Sequence, residues 1–533
     1  MRASGLSAAL IVFLVSAAIA DTTAFLNVNV VPMDEARVLS DHVVLVEDQT
    51  IIELGPRGEV DIPDGATIVD GGGGYLMPGL ADMHMHLVGS KAYSDPEQLL
   101  FFLAQGTTTI RVLGAPPITL EWRKKVQSGE LVGPTIYAMG PTLVGNYGDE
   151  LGIGTVVRGL NAARIGVPVV LALLLVSSVR RFRSRRSATL AGVSGLAVGG
   201  VLFVTELPPL NWLNPVFDAP QAHVFEDRAG PVRSTIFRYA VEGYDGIKLY
   251  DGLTGSQFLA GAAEAKAQGL YSIGHLLNQV PLEDQLASGL REVAHVDEFL
   301  SHHWVGYNMG VDTDPAYDAL RDYPVDAVSI PQTVDLVVRN GVAVVSNLST
   351  DEALYRLLLD LEGTLAEPRF SAFRPDYVQG WKVAGRHFGP FAGQGEYRRD
   401  EIQPFLSALV KALHDAGVPI TTGTDAGGFT PEGSIPSDIH RELELLVEAG
   451  LSSFEALSAG TAIAGYIIGN MTGDNDQGTI DVGKQADLIL LSSNPLEDVS
   501  ATRRRMGVMA NGHWYRQTDL DKMVDDYLAS RDW

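Results

Sequence analysis

Short apolar runs alternate with polar residues through residues 24–70, and Gly, Pro and Asp turns separate them. Such alternation predicts half-buried strands, so we expect a small β-domain there. From residue 75 the pattern changes to apolar strands that alternate with helical segments, and eight such units follow up to Asp425. Short strands return at 487–491 and 505–509. The pattern predicts an α/β protein with a (β/α)8 TIM barrel and a small β-sandwich built from both termini.

These changes of pattern divide the chain into six parts. The predicted parts are a signal peptide (1–20), the N-terminal part of the sandwich (21–77), barrel strands one to three (78–154), an inserted apolar helical hairpin (155–225), barrel strands four to eight (226–470), and the C-terminal part of the sandwich with a tail (471–533).

The first residues have the pattern of an export signal. Arg2 gives a positive start, residues 10–15 are apolar, and Ala18, Ile19 and Ala20 form a small-x-small cleavage site. An uncleaved anchor is the alternative interpretation, although the apolar centre is short for a membrane span. We therefore expect the protein to be exported.

Two uncharged, mostly apolar stretches, 165–179 and 188–204, interrupt the barrel pattern after the third strand. Five arginines lie between them, within residues 180–186. Arginine-rich loops favour the cytoplasmic side of a membrane. The pattern predicts a membrane hairpin in contact with lipid. Such a hairpin would place the catalytic part on the periplasmic side of a bacterial-type inner membrane, where lipophilic substrates could reach it. A soluble hairpin that packs on the barrel or on a second subunit is the alternative.

Composition excludes several classes of protein. The chain has 533 residues, of which 46% are hydrophobic, so it can bury a large core. A net charge of −26 opposes binding to nucleic acid and is otherwise explained by solubility. Cysteine is absent, which excludes disulfides, thiolate metal sites and a cysteine nucleophile. Any metal must be held by oxygen and nitrogen ligands.

Potential ligands lie at the carboxyl ends of five predicted strands, where a closed barrel brings them to one mouth. His84 and His86 are two residues apart on one strand, so both side chains project to the same side. The candidate metal ligands are His84, His86, Lys248, His275, His295 and Asp425. Each alone has an ordinary structural explanation, but imidazoles and a carboxylate at one mouth suit Zn²⁺ or a similar ion.

Several motifs resemble the metal-dependent amidohydrolase superfamily, and the imidazolonepropionase-like and Xaa-Pro dipeptidase-like enzymes within it. The matching segments are 78–86 (PGLADMHMH), 106–111 (GTTTIR), 244–249 (YDGIKL), 423–426 (GTDA) and 478–489 (GTIDVGKQADLI). The inserted hairpin departs from this family pattern.

The resemblance implies a binuclear hydrolase that cleaves an amide or peptide C–N bond through a metal-bridging hydroxide. His84, His86 and Asp425 would hold one divalent ion, most simply Zn²⁺, and His275 and His295 the other. Lys248, carboxylated by CO₂, would bridge the two ions. Asp425 would move the proton, so Asp425 and Lys248 are the expected catalytic residues. The substrate would be a small amide or dipeptide, and a homo-oligomer fits the family.

Three other functions stay open at this point. An esterase or lactonase could use the same site, a mononuclear deaminase-like enzyme needs no carboxylated Lys248, and a membrane-anchored pseudoenzyme needs only the fold. Weaker candidates for substrate contacts are Arg111, Tyr250, His302 and His303, although a solvated loop is the simpler expectation for the two histidines. The long segment 347–398 after strand seven is expected to be a loop, either a lid or structural packing.

Overall fold

The computed structural model describes residues 22–87, 95–145, 221–223, 229–250, 252–303, 325–368, 370, 378, 393–427 and 438–531. The predicted signal peptide, the two apolar stretches of the hairpin and the middle of the segment after strand seven lie outside these residues. Within the described ranges, no helix is both long and apolar enough to span a membrane.

The strands of the described residues are β1 (Thr22–Val30), β2 (Leu39–Glu47), β3 (Thr50–Pro56), β4 (Thr67–Asp70), β5 (Tyr75–Pro78), β6 (Leu80–Met85), β7 (Thr107–Val112), β8 (Thr135–Ala138), β9 (Thr142–Val144), β10 (Gln221–His223), β11 (Gly246–Leu249), β12 (Tyr271–Gly274), β13 (Glu292–Val293), β14 (Ala343–Val345), β15 (Ile420–Thr421), β16 (Leu488–Leu491), β17 (Arg505–Ala510) and β18 (His513–Arg516).

The α-helices of the same residues are α1 (Leu100–Ala104), α2 (Pro117–Gln127), α3 (Ala229–Glu242), α4 (Gly255–Gln268), α5 (Leu282–Ala287), α6 (Ile330–Asn340), α7 (Leu348–Leu359), α8 (Leu361–Leu365), α9 (Gly395–Tyr397), α10 (Gln403–Asp415), α11 (Asp438–Glu448), α12 (Ser453–Ala459), α13 (Ala462–Thr472) and α14 (Gln517–Ala529). Short 3-10 helices span Pro96–Leu99, Val296–His302, Ala327–Ser329 and Val499–Arg503, and a π-helical turn spans Arg398–Ile402.

Both ends of the chain contribute to one eight-stranded sheet, in the order β18-β17-β16-β5-β1-β2-β3 with β4 beside β1. The antiparallel pair of β5 and β16 joins the two ends. Alternation along β16 gives the sheet two buried faces, because Ile489 and Leu491 pack with Leu100, Leu103 and other residues from the helices, whereas Leu488 and Leu490 pack with Phe25 and Leu76 in a separate cluster.

The remaining strands pair in parallel, in the orders β6-β7-β8 and β10-β9-β11-β12-β13-β14-β15. Two parallel bridges link these sheets, Met139 with Gly246 and Met85 with Ala426. The N–H of Met83 also donates to the carbonyl of Thr422 at 2.9 Å. The parallel α/β fold is therefore confirmed, and its strand order is consistent with the predicted barrel.

The helices form where apolar residues recur at helical spacing. In α6, Ile330, Val334 and Val337 are buried on one face, and Gly341 ends the helix with a φ of +62°. Helix α13 packs Ala464, Ile467 and Ile468 into the same cluster as Ala81 and Met83 of β6, so it covers interior side chains of the parallel sheet.

Local structure departs from the sequence predictions in two places. The segment after strand seven does not begin as a loop, since α7 starts at Leu348. Helix α14 was not predicted, although its buried residues Leu520 and Tyr527 are spaced for one helical face.

Candidate metal centre

The side chains of His84, His86 and Asp425 lie together at the carboxyl ends of β6 and β15. Oδ1 of Asp425 lies 3.4 Å from Nε2 of His84 and 2.9 Å from Nε2 of His86. His84 and Asp425 are buried, whereas the side chain of His86 is 25% exposed. Asp425 has a φ of +53°, a left-handed conformation that is uncommon outside glycine and is often found at functional sites.

A backbone contact sets the tautomer of His84. Its Nδ1–H donates to the carbonyl oxygen of Ala294 at 2.8 Å, which leaves the lone pair on Nε2 facing Asp425. Burial lowers the pKa of His84 well below its ordinary value, and the nearby His295 and Lys248 act in the same direction. The imidazole is thus neutral, which is the form that binds a metal.

The buried Asp82 joins the two segments that carry this group. Its Oδ1 accepts the backbone N–H of His84 at 3.2 Å and that of Thr424 at 3.1 Å. Its Oδ2 accepts the Thr424 hydroxyl at 2.6 Å. The N–H of Asp425 in turn donates to the carbonyl of His84 at 2.7 Å. These hydrogen bonds fix Asp425 relative to His84.

His275, His295 and Glu298 form a second group of possible metal ligands. The chain carries His275 just after β12 and His295 just after β13, and their ring centroids lie 5.0 Å apart. Glu298 lies in the 3-10 helix that follows, and its Oε1 is 3.0 Å from Nδ1 of His275. Glu298 was not among the ligands predicted from the sequence, where its only signal was an acidic residue three positions after His295.

Lys248 lies at the end of β11, buried close to both groups. Its charge lowers the pKa of His295, after the larger effect of burial, as well as that of His84. The His84 and His295 rings are 4.2 Å apart between centroids, so the two groups adjoin. The structure therefore brings together all six residues that the sequence proposed: His84, His86, Lys248, His275, His295 and Asp425.

The chemistry of the first group fits a divalent cation. Nε2 of His84 and Oδ1 of Asp425 are buried, and apart from their contacts with each other and with His86 neither has a polar partner among the described residues. The ligand atoms of His84, His86 and Asp425 lie within 4.8 Å of one another, and the same holds for the three ligand atoms of the second group. Neutral imidazoles and a carboxylate converging in this way are a donor set that Zn²⁺ and similar ions accept.

The weaker sequence candidates have mixed outcomes. The ring of Tyr250 lies 4.1 Å from that of His275, so Tyr250 borders the second group. Arg111 is fully buried and pairs through two hydrogen bonds with Glu292, so its interpretation as a substrate contact is wrong.

The expectation that His302 and His303 lie in a solvated loop is also wrong. His303 is buried and makes hydrogen-bond contacts with Ser329 and Thr333, and burial lowers the pKa of His302 to about 4.

The amidohydrolase family matches residues 309–515 of the chain. No curated protein sequence matches it. A putative prolidase from Bifidobacterium longum is 21% identical, with a TM-score of 0.58 over 95% of this chain and 99% of the other. A Xaa-Pro dipeptidase with bound methionine in its active site is 18% identical, with a TM-score of 0.57 over 93% and 100%. Bottromycin amidohydrolase is 19% identical, with a TM-score of 0.61 over 96% and 90%.

These structural likenesses show a shared fold, and the prolidase and dipeptidase are consistent with the subgroup that the motifs resemble. The family match rests on the sequence itself and includes Asp425 and the strands that follow it. Over residues 309–515, this match confirms the family resemblance of the motifs and the expectation of an enzyme that acts on C–N bonds.

Proposed function

We propose that the protein is a binuclear metal-dependent hydrolase, built on a (β/α)8 barrel, that cleaves the C–N bond of a small amide or dipeptide. The observation that carries the proposal is the pair of adjoining ligand groups, one with His84, His86 and Asp425 and one with His275 and His295. Lys248 lies buried close to both. Such an arrangement suits two ions held side by side.

The protein groups have separate roles in this proposal. His84 and His275 each donate from Nδ1, to Ala294 and Glu298, and so keep Nε2 for a ligand bond. Lys248 serves in its carboxylated form, because an ammonium group has no lone pair to share. Two ions, most simply Zn²⁺, would polarise the substrate carbonyl and lower the pKa of the attacking water.

Asp425 is the group that moves the proton. Its carboxylate takes a proton from the attacking water and delivers it to the leaving nitrogen as the C–N bond breaks. The hydrogen bonds through Asp82 and the backbone of His84 hold it in the position that this transfer needs. Its strained left-handed backbone is consistent with a position set by function.

A panel of small amides, dipeptides and esters tests the proposed reaction. The metal-loaded protein should hydrolyse members of the amide or dipeptide set, lose that activity on chelation and regain it with Zn²⁺. Hydrolysis of esters alone would replace the proposal with an esterase or lactonase. Ammonia release from ring amidines with one ion per chain would favour the mononuclear deaminase-like enzyme instead.

Export and membrane attachment form a separate proposal, supported by sequence alone. The N-terminal export pattern and the two apolar stretches around five arginines support a protein held at the inner membrane with its catalytic part outside the cytoplasm. Deletion of residues 165–204 should release the protein into the soluble periplasmic fraction. A protein that stays membrane-bound after signal cleavage and this deletion would contradict the attachment role of the hairpin.

A further inference from the structure

Asn347 brings a polar group to the site from strand seven, which provides none of the proposed ligands. It lies two residues after the end of β14, is only 3% exposed, and has a φ of +47°. The buried Glu442 fixes this position, because its carboxylate accepts the N–H groups of Leu348 at 3.1 Å and Ser349 at 2.7 Å. Asparagine tolerates this backbone conformation better than most residues, which is the ordinary explanation for its presence.

The contacts of the side chain orient its amide. The hydroxyl of Thr350 donates to the carbonyl of Thr424 at 3.1 Å, so Thr350 presents a lone pair to Asn347. Nδ2 of Asn347 faces that lone pair at 3.5 Å, which directs Oδ1 the other way. Oδ1 is buried and makes no hydrogen bond within the described residues. A buried acceptor without a donor is costly, and a bound molecule with an N–H group would supply the missing donor.

The same oxygen lies beside the first ligand group. A Cβ placed on Gly423 would lie 3.1 Å from Oδ1 of Asn347 and 2.7 Å from Cβ of His84. Gly423 therefore leaves the space that lets both side chains approach, two residues before Asp425. The unpaired oxygen therefore lies close to the backbone end of the His84 side chain, at the edge of the first ligand group.

We propose that Asn347 is a specificity-determining residue, whose Oδ1 accepts a hydrogen bond from the N–H of the scissile amide. This inference rests on the proposed function. The N–H bond is not broken during hydrolysis, since the leaving nitrogen takes its second proton from Asp425. A secondary amide supplies this donor. A Xaa-Pro bond or an ester supplies none and leaves the oxygen unpaired, which predicts discrimination of about tenfold or more.

Binding of two matched dipeptides, Leu-Ala and Leu-Pro, tests the inference. The Asp425→Asn protein loaded with Zn²⁺ serves for the measurement, because it allows equilibrium binding with little turnover. We expect it to bind Leu-Ala about tenfold more tightly than Leu-Pro, and a further Asn347→Gly change to remove most of that preference. Glycine adopts the same left-handed backbone, so metal content and the unfolding temperature should stay near those of the parent.

Asn27→Gly is the matched control, since Asn27 also has a positive φ, of +53°, but lies in the terminal sheet. It should leave the preference unchanged. The inference is overturned if Asn347→Gly leaves the ratio of the two affinities unchanged. It is also overturned if the parent protein binds the two peptides equally well, or binds neither of them. Discrimination in binding together with no hydrolysis by the wild type would count against the proposed function alone.

Discussion

Oε1 of Glu298 lies 3.0 Å from Nδ1 of His275, and Oε2 of Glu298 accepts the backbone N–H of Leu276 at 2.7 Å. One carboxylate therefore fixes both the ring of His275 and the backbone beside it. A carboxylate that holds the outer nitrogen of a histidine ligand orients the ring and raises its basicity. Glu298 thus belongs to the support of the proposed second ion.

Replacement of this carboxylate should weaken metal binding without unfolding the protein. We expect Glu298→Gln to lower the affinity for one of the two ions by about 10- to 100-fold. Titration of the metal-free protein with Zn²⁺, followed by metal analysis, measures it. Glu283→Gln is the control, because Glu283 is an exposed glutamate in α5. Equal affinities in both variants would show that Glu298 does not support the site.

Removal of the proton acceptor should separate turnover from metal binding. We expect Asp425→Asn to reduce kcat by at least about 100-fold, because an amide cannot take the proton. Metal content should fall less than turnover, since His84 and His86 remain. Turnover and metal per chain, measured on the same preparation, give the comparison. A variant with normal turnover would refute the role of Asp425.

The buried pair of Arg111 and Glu292 should be essential for stability. Their two hydrogen bonds, of 2.7 and 2.8 Å, lie among fully buried side chains. Glu292→Gln leaves the guanidinium without its compensating charge, so we expect a loss of about 3–5 kcal/mol in the free energy of unfolding. Arg111→Met combined with Glu292→Leu should lose less. Denaturant titration measures both, and a harmless single replacement would contradict this explanation.

Asp487 should make stability depend on pH. Burial raises its pKa to about 7, despite hydrogen bonds from the N–H of Asn511 and the amide of Gln485. The folded protein therefore holds this proton at pH values where the unfolded chain has released it, so the free energy of unfolding falls as pH rises from about 4 to 7.

Asp487→Asn should flatten that dependence, which unfolding temperatures across the pH range would show. Asp481→Asn, which changes an exposed aspartate close by in the chain, should leave it as in the wild type. A wild-type curve that is equally flat in this window would mean that Asp487 ionises normally.

Local sequence patterns were sufficient for the ligand set but not for its support. His84, His275, His295 and Asp425 follow apolar strands, so their common edge could be predicted from strand order alone. Glu298 could not, because its contact with His275 joins two different strand ends. Asn347 was missed because its role depends on the space left by Gly423 and on the helix that begins at Leu348.

Burial explains the wrong predictions. Arg111 and His303 are polar residues at positions typical of a site, yet Arg111 pairs with Glu292 and His303 contacts Ser329 and Thr333. A polar residue near a strand end can face the site or another buried polar group, and the single sequence contains no information that separates the two.

Metal content per chain tests the binuclear site most directly. The wild type and Lys248→Ala are purified in parallel, in detergent, with bicarbonate present to allow carboxylation of the lysine. We predict two divalent ions per chain in the wild type and a clear loss in the variant. One ion in both proteins would show a mononuclear site, and no ion in either after reconstitution with Zn²⁺ would contradict a metal-dependent hydrolase.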